Sequence, residues 1–108
     1  MIKYMKAKCC ANKKLSAEFI DLAKFLRIIG DDNRLRILCL LKDGEHCVCE
    51  IEENLDIAQN LASSHLKVLR DFQLIISRQE GKRIYYAINS KTFKQYNLVF
   101  TNFLKNYE

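Results

Sequence analysis

Cysteine is the residue type in this chain with the most specific chemistry to offer. Of the five cysteines, Cys47 and Cys49 are separated by one residue, and Cys9 and Cys10 are adjacent near the N-terminus. Thiolates bind soft metal ions and metalloids, and they also oxidise readily. The N-terminal stretch is basic with no apolar stretch after it, so we predict no secretory signal and a cytoplasmic protein. In such a chain, cysteines are more often metal ligands or reactive thiols than structural disulfides.

The spacing of Cys47 and Cys49 determines whether both thiols can bind the same ion. Inside a regular helix, residues two apart point about 200° away from each other. Both thiols can therefore chelate one ion only if Cys47 lies at or before the helical cap. Two sulfurs do not close a soft-metal site, because arsenite or lead takes three and tetrahedral cadmium or zinc takes four. Cys9 and Cys10 are the candidates for the missing ligands.

Two further residues have less specific chemistry. His46 precedes the cysteine pair and could add a nitrogen ligand, although an exposed loop histidine needs no such role. Cys39 lies in the apolar run ILCLL over 37–41. We predict that Cys39 packs in the core as a small hydrophobic residue.

A helix predicted over 58–72 has one polar and one apolar face at about 100° per residue. His65 lies on the apolar side, so we predict a packed, hydrogen-bonded histidine there. On the polar face, amides and hydroxyls can bond base edges or phosphates, and lysine can neutralise a phosphate. A hairpin predicted over 75–88 adds basic residues near its tip. The predicted DNA-binding residues are Gln59, Asn60, Ser63, Ser64, Lys67, Arg78, Lys82 and Arg83.

The hydrophobic pattern places these residues on a short series of elements. A first helix is predicted from a cap at Ser16 to Gly30, and a second from a cap at Asp32 to Gly44. A short acidic helix over 48–55 and the helix over 58–72 follow, then the β-hairpin and a last helix over 90–107. The order predicts a mainly α winged helix-turn-helix domain over 1–108, with a flexible basic arm over 1–14.

Composition and charge limit the classes of function that we expect for this protein. A chain of 108 residues is one domain, and no apolar run approaches the ~18 residues of a membrane span. The net charge of +5 favours a polyanionic partner. The sequence contains neither a phosphate loop nor a recognisable nucleophile–histidine arrangement, so we predict that the protein is not an enzyme. The first and last helices carry more apolar surface than one small core can bury, which predicts that they pair in a homodimer. The apolar residues concerned are Phe19, Leu22, Leu26, Tyr96, Phe100, Phe103 and Tyr107.

Three segments in a fixed order resemble the ArsR/SmtB family of metal-sensing transcriptional repressors. They are EHCVCEI over 45–51, SSHLKVLR over 63–70 and GKRIYY over 81–86. The resemblance implies a homodimer that binds double-stranded operator DNA when metal-free and leaves it when a toxic metal or metalloid binds. It implies that Cys47 and Cys49 are sensor ligands and that the helix over 58–72 contacts DNA.

The inducer ion is less well determined by the resemblance. Arsenite sensors of this kind often carry a third cysteine at the position of Glu52. Cadmium and lead sensors complete the site with N-terminal cysteines, as some arsenite sensors do, so Cys9 and Cys10 could ligate from the same or the other subunit. We expect As(III) first and Cd(II), Pb(II) or Zn(II) second. Ala58 replaces a frequent serine cap, so we predict Asp56 as the cap of the DNA-contacting helix.

Two other interpretations remain open from the sequence. The thiols could form a redox or persulfide switch that needs no metal, since exposed thiolates oxidise readily. The domain could also be a plain protein-interaction module, which predicts no salt-dependent binding to DNA.

Overall fold

A computed structural model describes residues 13–105, with side chains from residue 17 onward. Five helices and three strands follow one another: α1 (Lys13–Ile29), α2 (Asp32–Leu41), β1 (His46–Cys47), α3 (Val48–Leu55), α4 (Gln59–Asp71), β2 (Ile75–Glu80), β3 (Arg83–Ile88) and α5 (Ser90–Lys105). This order confirms the predicted fold class, a mainly helical winged helix-turn-helix. Cys9, Cys10 and Tyr107 lie outside the described residues. None of the helices in the described range is both long and apolar enough to span a membrane.

The first helix boundaries differ from the predicted ones by a few residues. Helix α1 begins at Lys13, three residues before the predicted cap. Asp31, not Asp32, is the N-cap of α2, where its carboxylate accepts a hydrogen bond from the Arg34 backbone N–H at 3.2 Å. That bond is the main reason that the pKa of Asp31 is lowered. Either aspartate offers the same capping oxygen, so sequence alone could not choose between them.

The connection between α3 and α4 also differs from the prediction. Asp56 does not cap α4; it is the C-cap of α3, in the left-handed conformation at φ 52° and ψ 52°. Aspartate tolerates this conformation better than most residues because its short side chain can bond locally. Ala58 is the N-cap of α4 and makes no side-chain capping bond. The tight turn, rather than a cap, therefore orients the start of α4.

The strands form a small antiparallel sheet with the order β1-β3-β2. Gly81 has φ 61° in the two-residue turn between β2 and β3, a conformation for which glycine is favoured. The two-residue strand β1 pairs with the other edge of β3, so that Cys47 faces Tyr85 and His46 faces Tyr86. This pairing fixes the thiol segment beside the hairpin.

One apolar core joins the helices to the sheet. Its most deeply buried members come from α2, α3, α4, β2 and the turn just before β2: Ile37, Ile51, Leu66, Leu69, Leu74 and Ile75. Helices α1 and α5 pack on each other through aromatic side chains, with Phe25 and Tyr96 stacked at a centroid distance of 4.4 Å. Cys39 is exposed, so its predicted place in the core is wrong. The buried face of α2 is formed by Ile37, Leu38 and Leu41 instead.

Candidate metal centre and nucleic-acid interface

The two cysteines of the CxC segment meet at the start of α3. Cys47 is the N-cap residue, with an extended backbone at φ −77° and ψ 163°, and Cys49 lies in the first turn. This change of backbone conformation brings the two sulfurs together, and they are paired as a disulfide with a Cα–Cα distance of 5.4 Å. Cys47 is buried and Cys49 is exposed. Because Cys47 lies at the helical cap, the two sulfurs are close enough to bind the same ion or to react with the same oxidant.

Glu50 stabilises the helix start that carries the thiols. Its carboxylate accepts a hydrogen bond from the Cys47 backbone N–H at 3.1 Å and lies 3.2 Å from Nδ1 of His46. The bond from Cys47, followed by the one to His46, lowers the pKa of Glu50. His46 is thus engaged by a carboxylate. Within residues 17–105, no group of three or more histidine, cysteine or acidic side chains could hold a metal ion.

A cleft of about 420 Å³ connects the thiols to the predicted DNA-binding residues. It lies between the start of α3, the start of α4 and the hairpin. Cys47 and Cys49 form one wall with Glu52, while the other walls are formed by Gln59, Ser63, Lys82, Arg83, Ile84 and Tyr86. A group bound to both sulfurs would therefore be next to four of the residues predicted to contact DNA.

Helix α4 presents the predicted polar face to solvent. Gln59, Asn60, Ser63, Ser64 and Lys67 are all exposed. The Lys67 ammonium lies 3.2 Å from the Asp71 carboxylate one turn later, an exposed pair of little energetic consequence. The opposite face is buried and consists of Ala62, His65, Leu66 and Leu69. The element therefore has the form of a surface helix with one free polar face.

The basic residues of the hairpin are in two different environments. Lys82 and Arg83 are exposed at the tip. Arg78 lies in mid-strand and is bound by two carboxylates, those of Glu45 and Glu80. The contact with Glu45 could not be predicted from local patterns, because the two residues are 33 positions apart and only the sheet register brings them together.

The family assignment follows from comparison with known proteins. Residues 31–77, from the α2 cap to the middle of β2, match the family described as bacterial regulatory protein, arsR family. The transcriptional activator HlyU of Vibrio cholerae is 35% identical over 82 residues, which are 76% of this chain and 73% of that protein. The chain belongs to the ArsR family. The solved structure of reduced HlyU superposes on it with a TM-score of 0.65 and 30% identity, covering 83% of this chain and 93% of the other.

ArsR-family relatives with resistance functions are similar in sequence too. The arsenical resistance operon repressor of Staphylococcus aureus is 38% identical over 69 residues, or 64% of this chain and 66% of that protein. The cadmium resistance regulatory protein CadC homolog of the same species is 34% identical over 77 residues, or 70% and 64%. The match therefore spans just under two thirds of these two proteins. All three relatives are named as regulators of transcription, and none carries an enzyme's name.

The apolar face of α4 in this ArsR-family chain is held by a residue that sequence analysis missed. Arg34 donates from Nε to Nδ1 of His65 at 3.1 Å and from Nη1 to the Ile28 carbonyl oxygen at 3.3 Å. The second ring nitrogen of His65 lies 3.8 Å from the Asp31 carboxylate. His65 is thus buried and hydrogen-bonded, as predicted, and it connects α4 to the start of α2, while Arg34 in turn bonds the end of α1.

Proposed function

We propose that the protein is a transcriptional repressor that binds operator DNA as a homodimer and leaves it when a thiophilic ion binds Cys47 and Cys49. One observation carries this proposal: the cleft places both thiols beside residues of α4 and of the hairpin tip. The names of the arsenical and cadmium relatives support a response to such ions. The central experiment is a competitive titration of the reduced protein with arsenite, cadmium, lead and zinc while DNA binding is monitored.

In the proposed complex, α4 enters the major groove and the hairpin lies on the backbone. The exposed amides and hydroxyls of Gln59, Asn60, Ser63 and Ser64 are of the types that bond base edges. Lys67, Lys82 and Arg83 would neutralise phosphates, and this contribution would weaken as salt rises. The two groups of contacts should therefore differ in how they depend on base sequence and on salt.

The donor set at the start of α3 fits a thiophilic ion only in part. The sulfurs of Cys47 and Cys49, once reduced, converge at a helix N-terminus, which favours the thiolate form that binds metals. Arsenite needs one more sulfur and tetrahedral cadmium needs two. We propose that Cys9 and Cys10 supply them. Arsenite is the first choice and cadmium or lead is the second; arsenite and lead each need one sulfur from outside the CxC segment, whereas tetrahedral cadmium needs two.

Release from DNA would follow from the position of the thiols at the start of α3. Helix α3 packs directly against α4, so a change in its first turn reaches the DNA-contacting helix. Acidic side chains next to the thiols would repel phosphates if the turn shifted toward DNA: Glu45, Glu50, Glu52 and Glu53. An ion that binds the shifted form better must weaken DNA binding by the same factor by which DNA weakens ion binding.

A second candidate function is a thiol redox switch at the same two cysteines. The observation that favours it is the pairing of Cys47 with Cys49 as a disulfide. Formation of this bond would transfer two electrons and two protons to an oxidant. A metal-free assay distinguishes the two candidate functions. An oxidant alone would release DNA from a redox switch, and mass spectrometry would show the disulfide. An ion sensor would keep its DNA under the same conditions.

We predict that Arg83→Ala weakens DNA binding and reduces its salt dependence. Loss of one phosphate contact lowers the slope of log affinity against log salt by about 0.9. Ser63→Ala should instead change the preference between base sequences and leave the slope in place. Fluorescence anisotropy over a salt series measures both quantities. The control is Lys94→Ala, which removes an equal charge at an exposed position of α5. Equal slopes for Arg83→Ala and Lys94→Ala would contradict the assignment of the hairpin as a DNA contact.

We also predict a dimer at micromolar concentration. Helices α1 and α5 pack together within the chain, yet both keep exposed apolar side chains, including Phe19 at 44%, Ile20 at 54% and Leu98 at 62%. Pairing of these helices across a two-fold axis would bury them. Sedimentation should give the mass of two chains, and Leu98→Glu should shift it toward one. A monomer at micromolar concentration would disprove the proposed assembly.

A further inference from the structure

Arg78 spans the central strand of the sheet. It lies on β2 directly opposite Tyr85 of β3, and Tyr85 in turn lies opposite Cys47 of β1. The guanidinium carbon lies 4.7 Å from the centre of the Tyr85 ring. Glu45 immediately precedes β1, so the side chain reaches from one edge strand to the start of the other. The tyrosine ring supports the guanidinium along this path.

The edge of the Arg78 guanidinium group is hydrogen-bonded to two carboxylates. Nε lies 3.0 Å and 2.9 Å from the two carboxylate oxygens of Glu45, and Nη2 contacts the same carboxylate. Nη1 donates to Glu80 at 2.9 Å. This two-pronged geometry is the one that arginine uses to bind a phosphate. The hydrogen bond from Arg78 is the main cause of the lowered pKa of Glu45.

The three basic residues of the hairpin therefore differ in the charge that they offer. Two negative carboxylates accompany the single positive charge of Arg78. Across the part of the chain whose side chains are described, neither Lys82 nor Arg83 forms an ion pair. A phosphate approaching the hairpin would meet two cations at the tip that form no ion pair, although Arg83 is near enough to Glu50 to contribute to the lowered pKa of that carboxyl, and an arginine in mid-strand that is already paired with two carboxylates.

We propose that Glu45 withholds Arg78 from DNA by occupying the guanidinium edge that a phosphate would bind, so that the hairpin contacts DNA through Lys82 and Arg83. Arg78 is then a positioning residue: it ties the segment before the thiols to the hairpin. Glu45 lies two residues before Cys47, so the segment that carries the thiols also sets the charge of the wing. This inference rests on the proposed DNA binding.

The test compares the salt dependence of DNA binding among charge variants, with a short random-sequence duplex as the probe. Glu45→Gln removes the competing carboxylate, so Arg78 should gain a phosphate and steepen the slope by about 0.9, an additional loss of roughly threefold over a fourfold rise in salt. Glu53→Gln, which changes the charge equally at an exposed α3 position, corrects for net charge. The double variant Glu45→Gln/Arg78→Gln has the net charge of the wild type, so its slope should return to that of the wild type.

Two results would overturn the inference while leaving the proposed function in place. One is a slope for Glu45→Gln equal to that of Glu53→Gln. The other is a slope reduced by about 0.9 in Arg78→Gln alone, because that would mean that Arg78 already contacts phosphate in the wild type. This single variant leaves Glu45 intact and decides the question if Glu45→Gln fails to fold, as thermal melting would show. Absence of any salt-dependent binding by the wild type would instead refute the proposed function.

Discussion

Replacement of both Cys47 and Cys49 by serine should leave DNA binding intact and abolish its response to the inducer. Serine keeps the size and polarity of the helix start but supplies no thiolate for a soft ion. In the wild type, arsenite should lower DNA affinity by about 5- to 150-fold, which corresponds to a coupling of ~1–3 kcal/mol. In the double variant the affinity should not change. Anisotropy titrations of reduced protein on operator DNA, with and without arsenite, measure the difference.

Other cysteine variants serve as controls for that experiment. Cys39→Ser should keep the full response, because Cys39 is exposed and lies outside the cleft. Cys9→Ser or Cys10→Ser should reduce the affinity for the ion, with a smaller effect on release if these residues only complete the coordination. Normal arsenite-driven release by the Cys47/Cys49 double variant would eliminate the CxC segment as the sensor.

Truncation of Ile51 should cost more stability than almost any other single change in α3. Ile51 has no exposed surface and packs at the centre of the core, so Ile51→Ala removes buried methyl groups and leaves a cavity. Such changes cost about 2–5 kcal/mol in the free energy of unfolding. Small domains have only about 5–15 kcal/mol in total. Urea unfolding followed by circular dichroism would measure the loss as a lower midpoint with an unchanged slope.

The matched control for Ile51→Ala is the same substitution at an exposed position. Ile76 on β2 is 54% exposed, so Ile76→Ala should change stability by no more than about 0.5 kcal/mol. Equal losses for the two variants would mean that α3 is not anchored through Ile51. Since α3 carries the thiols, the same measurement tests how firmly the proposed sensor segment is held to the core.

Local patterns along the chain predicted those features that depend on neighbouring residues. The helix predicted over 48–55 put Cys47 at its start, and this position meets the condition under which both thiols can bind one ion. The boundaries of α3 followed from the spacing of Ile51 and Leu55, both of which are buried. The hairpin followed from the change in hydrophobic period and from Gly81. The family resemblance, confirmed by the comparisons, rested on these same short segments.

Features that depend on the packing of distant elements could not be predicted in this way. Cys39 lies within an apolar run, but only the direction of α2 relative to β3 and α5 decides that it is exposed and lines a second, separate pocket instead. The bond from Arg34 to His65 joins residues 31 positions apart. The bond from Arg78 to Glu45 needs the complete register of three strands. In each case the sequence contains the chemical groups but no signal of their distance in space.

The position of Arg78 also bears on the solubility of the protein. Strand β2 is one of the two edge strands of the sheet, and five of its six residues are exposed, including the apolar Ile76. An open strand edge can pair with the same edge of another molecule and start aggregation. Arg78 and Glu80 are charged residues within this edge strand, and charged residues in an edge strand oppose further strand pairing. Their replacement by β-branched apolar residues would turn the hairpin into a point of attachment for other copies of the chain.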